Sequence, residues 1–200
     1  MPTPVDFYFD FSSPYGYFAS TRIDAIAAKH GRTVNWHPIL LGAVFKVTGG
    51  APLPSLPLKG DYARIDIPRC ARAFGLPFNF PGKFPIPTQV AARMTVWAQG
   101  LDVERAKTLA RALYHAYFAE NRDITNAEVC ADVAAACHFD RAKALAANND
   151  QAVKDKLKLE VDGAIARNVF GSPYVLIDGE PFWGADRLDH VERWLATGGW

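Results

Sequence analysis

The order in which the hydrophobic pattern changes along the chain constrains the fold more than any other feature of the sequence. Residues 5–11 alternate as a strand does, residues 17–29 have the helical period, and residues 33–40 have the pattern of a second strand. Such a β-α-β opening predicts two parallel strands joined by a right-handed crossover. Near the C-terminus the pattern becomes strand, turn, strand and helix, predicted at residues 173–178, at residues 181–183 and from Asp186 onward.

The middle of the chain is predicted to be a loop followed by helices. Residues 42–57 are rich in Gly and Pro and have no periodicity, which predicts a long loop of the kind that is often functional. Helix stops are predicted at Gly75 and Gly100, and a capping box at Thr125. The predicted helices cover residues 61–74, 88–99, 102–120, 125–137 and 149–168.

This order of elements is that of a thioredoxin-like α/β fold with a large all-helical insertion. We predict a thioredoxin-like domain formed by residues 1–42 and 170–200, and an insertion of loop and helices over residues 43–169. In thioredoxin-like proteins a cis-proline begins the third strand, opposite the active-site corner. Pro173 stands at that position, so we predict that the Ser172–Pro173 peptide bond is cis.

Composition excludes several classes of function. Half of the 200 residues are apolar, the net charge is +1, and the basic residues are scattered, so we expect no nucleic-acid or membrane partner. We expect no signal peptide, and no apolar run reaches about 20 residues. The dispersed histidines predict no metal site. Cys70, Cys130 and Cys137 lack paired or metal-ligand spacing, which indicates reduced thiols in a cytoplasmic protein.

The corner between the first strand and the first helix reads Ser13-Pro14-Tyr15-Gly16. Thioredoxin-like disulfide enzymes carry Cys-x-x-Cys here, because the free N–H groups and the dipole of the helix lower the pKa of a thiol. In this chain Ser13 and Gly16 replace the two cysteines, so a dithiol cycle is chemically impossible. The backbone beside a cis-proline can pair with an extended peptide. We therefore infer that a thiol arrives on a peptide, and glutathione is the common cytosolic one.

The segments "DFYFDFSSPYGYFA", "DYARIDIPRCARAFGLPF" and "NVFGSPYVLIDGEPFWGADRLDHVE" resemble 2-hydroxychromene-2-carboxylate isomerases, which are relatives of kappa-class glutathione transferases with a DsbA-like thioredoxin fold. The resemblance covers essentially the whole chain. It implies a glutathione-dependent isomerase that interconverts 2-hydroxychromene-2-carboxylate and trans-o-hydroxybenzylidenepyruvate in naphthalene-type catabolism. It also implies an aromatic carboxylate substrate and a homodimer.

Two alternatives to this isomerase remain open at this point. The first is a kappa-type glutathione transferase or peroxidase, which shares the thiol site and differs in the second pocket. The second is a non-catalytic thioredoxin-fold module that binds an extended peptide beside Pro173. Glutathione affinity separates the module from both enzymes, and turnover of the chromene separates the two enzymes.

The resemblance implies a role for several residues. Ser13 corresponds to the serine that faces the glutathione sulfur, although a serine here is also expected to cap the helix. The resemblance assigns Ser172 and Pro173 to the cysteinyl part of glutathione, and Asp186, with backbone N–H groups near Ala185, to the γ-glutamyl part. Asp186 and Asp189 also form an alternative helix-capping pattern. Lys59 is a candidate glutathione-binding residue, which could neutralise a carboxylate of glutathione or of the substrate. The remaining candidates, for the substrate pocket, are Tyr15, Tyr62, Arg64 and Trp183.

Overall fold

The computed structural model describes residues 3–200 of the chain. Four strands form one mixed sheet in the order β2-β1-β3-β4. Strand β1 is parallel to β2 and antiparallel to β3, and β3 is antiparallel to β4. The predicted β-α-β opening and β-β-α close are therefore confirmed. The strands are β1 Val5–Phe9, β2 Val34–Pro38, β3 Tyr174–Ile177 and β4 Glu180–Trp183.

Ten α-helices lie within residues 3–200, most of them between β2 and β3. Two short 3-10 helices, Leu53–Ser55 and Ala185–Arg187, precede α4 and α10. None of the helices in this part of the chain is long and apolar enough to cross a membrane. The α-helices are α1 Pro14–Ser20, α2 Ile23–Lys29, α3 Leu41–Thr48, α4 Lys59–Phe74, α5 Gln89–Gln99, α6 Val103–Phe118, α7 Ala127–Ala136, α8 Arg141–Ala147, α9 Gln151–Ala166 and α10 Leu188–Thr197.

The prediction of a loop over residues 42–57 is wrong in its first half, which forms α3. This helix buries Val44 against one face of the sheet and ends at Gly49, whose φ of 70° is left-handed. Only beyond Gly49 do glycine and proline prevent a helix. The helix forms because an apolar contact and a long-range hydrogen bond to its first N–H group stabilise it, and neither contributes to local periodicity.

The single helix predicted over residues 17–29 is two helices. The Ser20 and Thr21 hydroxyls donate to the backbone carbonyls of Tyr17 and Phe18, at 2.6 and 2.8 Å. Such local side-chain bonds compete with the helical ladder. The chain therefore leaves α1 after Ser20 and begins α2 at Ile23.

In the insertion, one predicted helix start is displaced and one helix was not predicted. The predicted capping box is one residue too early, because Asn126 caps α7 by accepting the Glu128 N–H at 2.9 Å. Helix α8 was not predicted, since it has only seven residues and depends on the Asp140 cap, which accepts the Lys143 N–H at 2.9 Å. The helix stops at Gly75 and Gly100 are confirmed.

The sheet is covered on both faces. Phe7 and Phe9 point to one face, where they join a large apolar cluster that includes residues of α1, α2, α5, α6 and α10. Tyr8 points to the other face, where α3 and α9 pack. The larger cluster contains strand residues and residues of the predicted insertion together. The domain boundaries near residues 42 and 170 therefore stay a prediction.

The candidate site lies where β1 ends and β3 begins. The register pairs Tyr8 with Tyr174, so the corner after β1 and the turn before β3 are neighbours. The Ser172–Pro173 peptide bond is cis, which confirms that prediction. The Phe84–Pro85 bond, for which no prediction was made, is also cis.

Candidate functional site

Ser13 is the N-cap residue of α1 and is buried. Its Oγ accepts the Gly16 N–H at 3.0 Å and donates to the Ser172 carbonyl at 2.7 Å. Because a carbonyl oxygen has no hydrogen, the single hydroxyl proton of Ser13 must point toward Ser172. Ser13 therefore has both the capping position and a direct contact with the residue before the cis-proline. The Ser172 N–H group makes no hydrogen bond within residues 3–200.

The corner has no room for a second side chain at Gly16. A Cβ atom there would lie 2.5 Å from the Tyr114 hydroxyl and 2.9 Å from the Ser172 hydroxyl. The Tyr114 hydroxyl is fixed, because it donates to the backbone carbonyl of Asp10 at 2.9 Å. A residue larger than glycine therefore requires movement of α6 or of the corner. This geometry explains why the second cysteine position of a dithiol enzyme is occupied by glycine.

Asp10 is a buried acid at this corner that the sequence interpretation missed. Its carboxylate accepts the N–H of Ser12 at 2.6 Å, the N–H of Leu41 at 2.7 Å and the hydroxyl of Thr88 at 3.1 Å. Burial raises the pKa of Asp10 to about 6, and these three hydrogen bonds oppose the rise only in part. The available signal was an acidic residue inside the apolar run at the end of β1.

A cavity of about 1120 Å³ opens beside this corner. Ser13 and Ser172 lie at one end, together with the carboxylate of Asp10. Of the other predicted site residues, Lys59 and Trp183 line the same cavity. The structure therefore brings four of the predicted site residues together around one space.

The rest of the cavity wall is mainly apolar. One wall is formed by α3 and the chain up to Leu56, and a second wall by residues 84–89. Lys46 and Lys59 are the two cations in the lining, and neither forms an ion pair within the described residues 3–200. No cysteine is among the lining residues. The apolar side chains that line it include Leu40, Leu41, Phe45, Leu53, Leu56, Ile67, Phe84 and Ile86.

A strained turn precedes Lys59 at the start of α4. Leu58 has φ 64° and ψ −49°, and the Lys59 N–H donates to the Pro57 carbonyl at 2.7 Å. This γ-turn with positive φ is rare for residues other than glycine. The side chain of Leu58 is 86% exposed, so no burial compensates for the strain. Backbone strain of this kind occurs preferentially at binding sites, because the surroundings impose it for a purpose.

Trp183 closes the cavity beside the turn that precedes β3. Its ring packs edge-to-face against Phe170, with the centroids 5.0 Å apart, and its indole nitrogen lies over Gly171. A side chain at position 171 would overlap the indole, so Gly171 permits this close approach. Trp183 remains 57% exposed, which leaves part of its ring free to contact a ligand.

Three of the predicted substrate-pocket residues lie outside the lining of the cavity. The Tyr15 and Tyr62 hydroxyls both donate to the carboxylate of Asp66, at 3.1 and 3.2 Å. Burial and the charge of Asp66 raise the pKa of Tyr15. The guanidinium of Arg64 lies 5.8 Å from the centroid of the Phe80 ring. Tyr15 and Tyr62 therefore meet at Asp66, whereas Arg64 lies beside Phe80.

Ala185 and Asp186 lie in the 3-10 helix before α10, and neither lines the cavity. Ala185 is buried, whereas the side chain of Asp186 is 73% exposed and pairs with Arg187 at 3.1 Å. Asp186 does not cap α10, because Arg187 is the N-cap residue and no side chain accepts a bond there. The alternative capping interpretation of Asp186 is therefore wrong.

Asp186 lies within electrostatic reach of α4. Burial and the Asp66 carboxylate raise the pKa of Cys70, and the Asp186 carboxylate raises it further. Cys130 and Cys137 also have raised pKa values because of burial. None of the three thiols therefore has the lowered pKa of a reactive cysteine.

Within residues 3–200, no group of three His, Cys, Asp or Glu side chains is arranged to hold a metal ion.

Comparison with known proteins identifies the family. A model described as the DSBA-like thioredoxin domain matches residues 4–196. The chain is 31% identical to a 2-hydroxychromene-2-carboxylate isomerase of Sphingobium xenophagum over 98% of this chain and 99% of that protein. It is 30% identical to the protein of the same name from Pseudomonas putida, over 94% of this chain and 92% of that protein.

The solved structure of a 2-hydroxychromene-2-carboxylate isomerase superposes with a TM-score of 0.85 at 28% identity, over 97% of this chain and 94% of that chain. Glutathione S-transferase kappa 2 of Caenorhabditis elegans is 29% identical, over 96% of this chain and 91% of that protein. The chain belongs to the DsbA-like thioredoxin-domain family, in the group of 2-hydroxychromene-2-carboxylate isomerases to which kappa-class glutathione transferases are related. These similarities support an isomerase of this family.

Proposed function

We propose that this chain is a glutathione-dependent isomerase that interconverts 2-hydroxychromene-2-carboxylate and trans-o-hydroxybenzylidenepyruvate in naphthalene-type aromatic catabolism. One observation carries the proposal. A single cavity joins the Ser13–Ser172 corner to an apolar chamber that contains two unpaired lysines. The corner suits a thiol peptide, and the chamber suits an aromatic carboxylate. The similarity to two isomerases at 30 and 31% identity supports the same substrate.

The residues at the corner fit glutathione. The lining offers no thiol of its own, so a nucleophilic sulfur must come with a ligand. The Ser172 N–H is unpaired within residues 3–200, and its carbonyl faces the corner, so an extended peptide can pair with both groups. Pro173 fixes this edge. In the proposal, Asp186 and the backbone near Ala185 hold the γ-glutamyl end, and the other end lies toward Lys59.

When bound, glutathione would supply a nucleophilic thiolate, whose reversible addition, with opening of the chromene ring, permits rotation about the former double bond before the thiolate is eliminated. Ser13 supplies the hydrogen bond that stabilises the anionic sulfur, with help from the N-terminus of α1. In the free protein the Ser13 hydroxyl donates to the Ser172 carbonyl. In the complex this hydroxyl turns from the carbonyl to the sulfur, because an anionic acceptor forms a stronger hydrogen bond than a neutral carbonyl.

The chamber selects the substrate by shape and charge. Trp183 and the wall formed by residues 84–89 give flat apolar surfaces for a fused ring. Lys46 and Lys59 make the entrance positive, which attracts a carboxylate. Tyr15, Tyr62 and Arg64 remain proposed substrate residues. Tyr15 and Tyr62 require a ligand that reaches Asp66, and Arg64 requires one that reaches Phe80.

The experiment combines binding and turnover. We expect reduced protein to bind glutathione in calorimetry and to interconvert the chromene and the pyruvate only when glutathione is present. S-methylglutathione is the matched control, because it keeps the peptide and lacks a free thiol. It should bind, inhibit and fail to support turnover. Turnover without glutathione, or no binding of glutathione by active protein, contradicts the proposal.

A kappa-type transferase is the second candidate, because the chain is 29% identical to a kappa-class protein over nearly its full length. Conjugation of glutathione to 1-chloro-2,4-dinitrobenzene with no isomerase turnover favours the transferase. The absence of glutathione affinity under reducing conditions favours the peptide-binding module.

We further propose that the protein is a cytoplasmic homodimer. The cytoplasmic location rests on the free cysteines, and the homodimer rests on the family resemblance. Sedimentation measures its subunit number.

A further inference from the structure

Asp10 connects three segments around the cavity. Its carboxylate binds Ser12 in the corner, Leu41 at the first turn of α3, and Thr88 immediately before α5. Its own N–H donates to the Ser172 hydroxyl at 2.9 Å. Asp10 is 2% exposed, so water does not replace these bonds. No other side chain in the lining joins both walls of the cavity to the corner in this way.

We propose that Asp10 is a positioning residue, whose carboxylate holds the α3 wall and the Thr88 wall of the cavity in place relative to Ser13. Helix α3 contributes Phe45 and Lys46 to the lining, and residues 84–89 form a second wall of the cavity. Leu40, the N-cap residue of α3, makes no side-chain capping bond, so the Asp10 carboxylate serves as the capping acceptor of this helix.

The ionised carboxylate is required by the arrangement of its partners. One oxygen accepts from Ser12, and the other accepts from Leu41 and Thr88. Three donors therefore meet two oxygens that carry no hydrogen. An asparagine at position 10 has one acceptor oxygen and an NH2 group, so one backbone N–H faces another donor. Protonation of the acid introduces a similar conflict. Asp10→Asn is therefore nearly isosteric but cannot hold both walls and the Ser12 corner at the same time.

The surroundings allow the titration of Asp10 to be followed on its own. The charged and titratable groups that face it are Tyr114 and Tyr117 from α6 and the cavity lysines, Lys46 and Lys59. Burial raises the pKa values of both tyrosines, so they stay neutral below pH 8. No histidine lines the cavity. A step near pH 6 in the affinity for a glutathione derivative that has no free thiol therefore reports the Asp10 carboxylate.

The test compares two ligands and rests on the proposed function, because both are glutathione derivatives. Glutathione occupies the corner, whereas the alkyl chain of S-hexylglutathione also enters the chamber between the walls. We expect Asp10→Asn to lower the affinity for S-hexylglutathione about tenfold and that for glutathione less than threefold, as loss of one hydrogen bond to a charged group implies. Wild-type protein should show the same selective loss below pH 6.

A second variant and a ligand-free measurement keep the test decisive. Thr88→Val breaks one of the three bonds, and in an Asp10→Asn background it should add little further loss. NMR of the Leu41 and Ser12 amide protons follows the carboxylate directly, and their shifts should titrate in the wild type but not in Asp10→Asn. If neither ligand binds wild-type protein, the proposed function fails and these shifts alone decide the role of Asp10. The proposal is overturned if the ratio of the affinities for S-hexylglutathione and glutathione shows no step with pH and is the same in Asp10→Asn as in the wild type. It is also overturned if the two amide shifts do not titrate.

Discussion

Two carboxylates of the same chain segment have opposite environments. Asp6 lies within β1 and accepts hydrogen bonds from His37 and Asn35, and an ion pair joins it to Arg167 at 2.8 Å. Burial alone would raise the pKa of Asp6, but these partners outweigh it and lower the pKa to about 2. Asp10 lies just beyond the strand and has only neutral donors, and burial raises its pKa to about 6.

The difference separates a stabilising network from a functional one. His37 bridges Asp6 to Glu160 of α9, and the hydrogen bonds to these carboxylates outweigh burial and raise its pKa to about 9. Both ring nitrogens of the charged His37 then donate, so this network ties the sheet to α9. The Asp10 carboxylate has no cationic partner within residues 3–200, which costs stability, and we propose that it holds the cavity in shape. Perturbed acids without structural compensation mark candidate sites.

The largest predicted effect tests the stabilising network. We expect His37→Ala to lower the free energy of unfolding by about 3 kcal/mol, because Asp6 and Glu160 lose their shared cation and are left half-buried. Urea unfolding at pH 6 measures it. His115→Ala is the control, since His115 is half-exposed and pairs only with Glu120. Glutathione affinity should stay unchanged in both variants. A loss of affinity in His37→Ala contradicts the separation of the two networks.

The pH dependence of stability should differ in sign between the two carboxylates. The folded-state pKa of Asp6 is lowered from 3.8 to about 2, so its contribution is present above pH 3.8 and is lost as the pH falls through 2. The folded-state pKa of Asp10 is raised from 3.8 to about 6, so its cost is absent below pH 3.8 and complete above pH 6. Both effects are on the order of 2–3 kcal/mol.

Unfolding of Asp6→Asn and Asp10→Asn across pH 2–7 measures this difference. Relative to the wild type, Asp6→Asn should lose stability as the pH rises to 3.8, and Asp10→Asn should gain it between pH 3.8 and 6. Slopes of the same sign contradict the comparison. On the alkaline side, the contribution of His37 is present below pH 6.5 and is lost as the pH rises through 9.

A substitution at Gly16 tests how tightly the corner is packed. We expect Gly16→Ala to lower the free energy of unfolding by about 2 kcal/mol, because its Cβ meets the Tyr114 hydroxyl. Tyr114→Phe removes that hydroxyl and its bond to Asp10, at a cost of about 1 kcal/mol. The double variant should be more stable than the sum of the two losses predicts. Simple additivity shows that the contact does not limit this position.

The smallest predicted effect concerns strain at the entrance of the cavity. Leu58→Gly should stabilise the protein by about 1 kcal/mol, because glycine adopts φ 64° without steric cost and the leucine side chain is exposed. The turn that places Lys59 becomes looser, so we expect weaker glutathione binding. Leu159→Gly, at an exposed position within α9, is the control and should destabilise. A destabilised Leu58→Gly shows that the turn is not strained.

The sequence was sufficient for those features that local pattern encodes. Strand alternation, the Ser13 cap and the proline before β3 predicted the four strands and the corner. The cavity walls depend on contacts between distant residues, which periodicity does not record. Asp10 and Thr88 are 78 residues apart in the sequence, and the bond from Asp10 to α3 was equally invisible.

The central claim is that Ser13 stabilises the thiolate of bound glutathione, and its most direct test is an ultraviolet titration of that thiolate. In wild-type protein the pKa of the bound thiol should lie below that of free glutathione. Ser13→Ala should raise it by about one to two units, the equivalent of one hydrogen bond to a charged group. Ser20→Ala is the control, because its buried hydroxyl bonds only within α1. An unchanged thiol pKa in Ser13→Ala contradicts the account and leaves Ser13 as a helix cap alone.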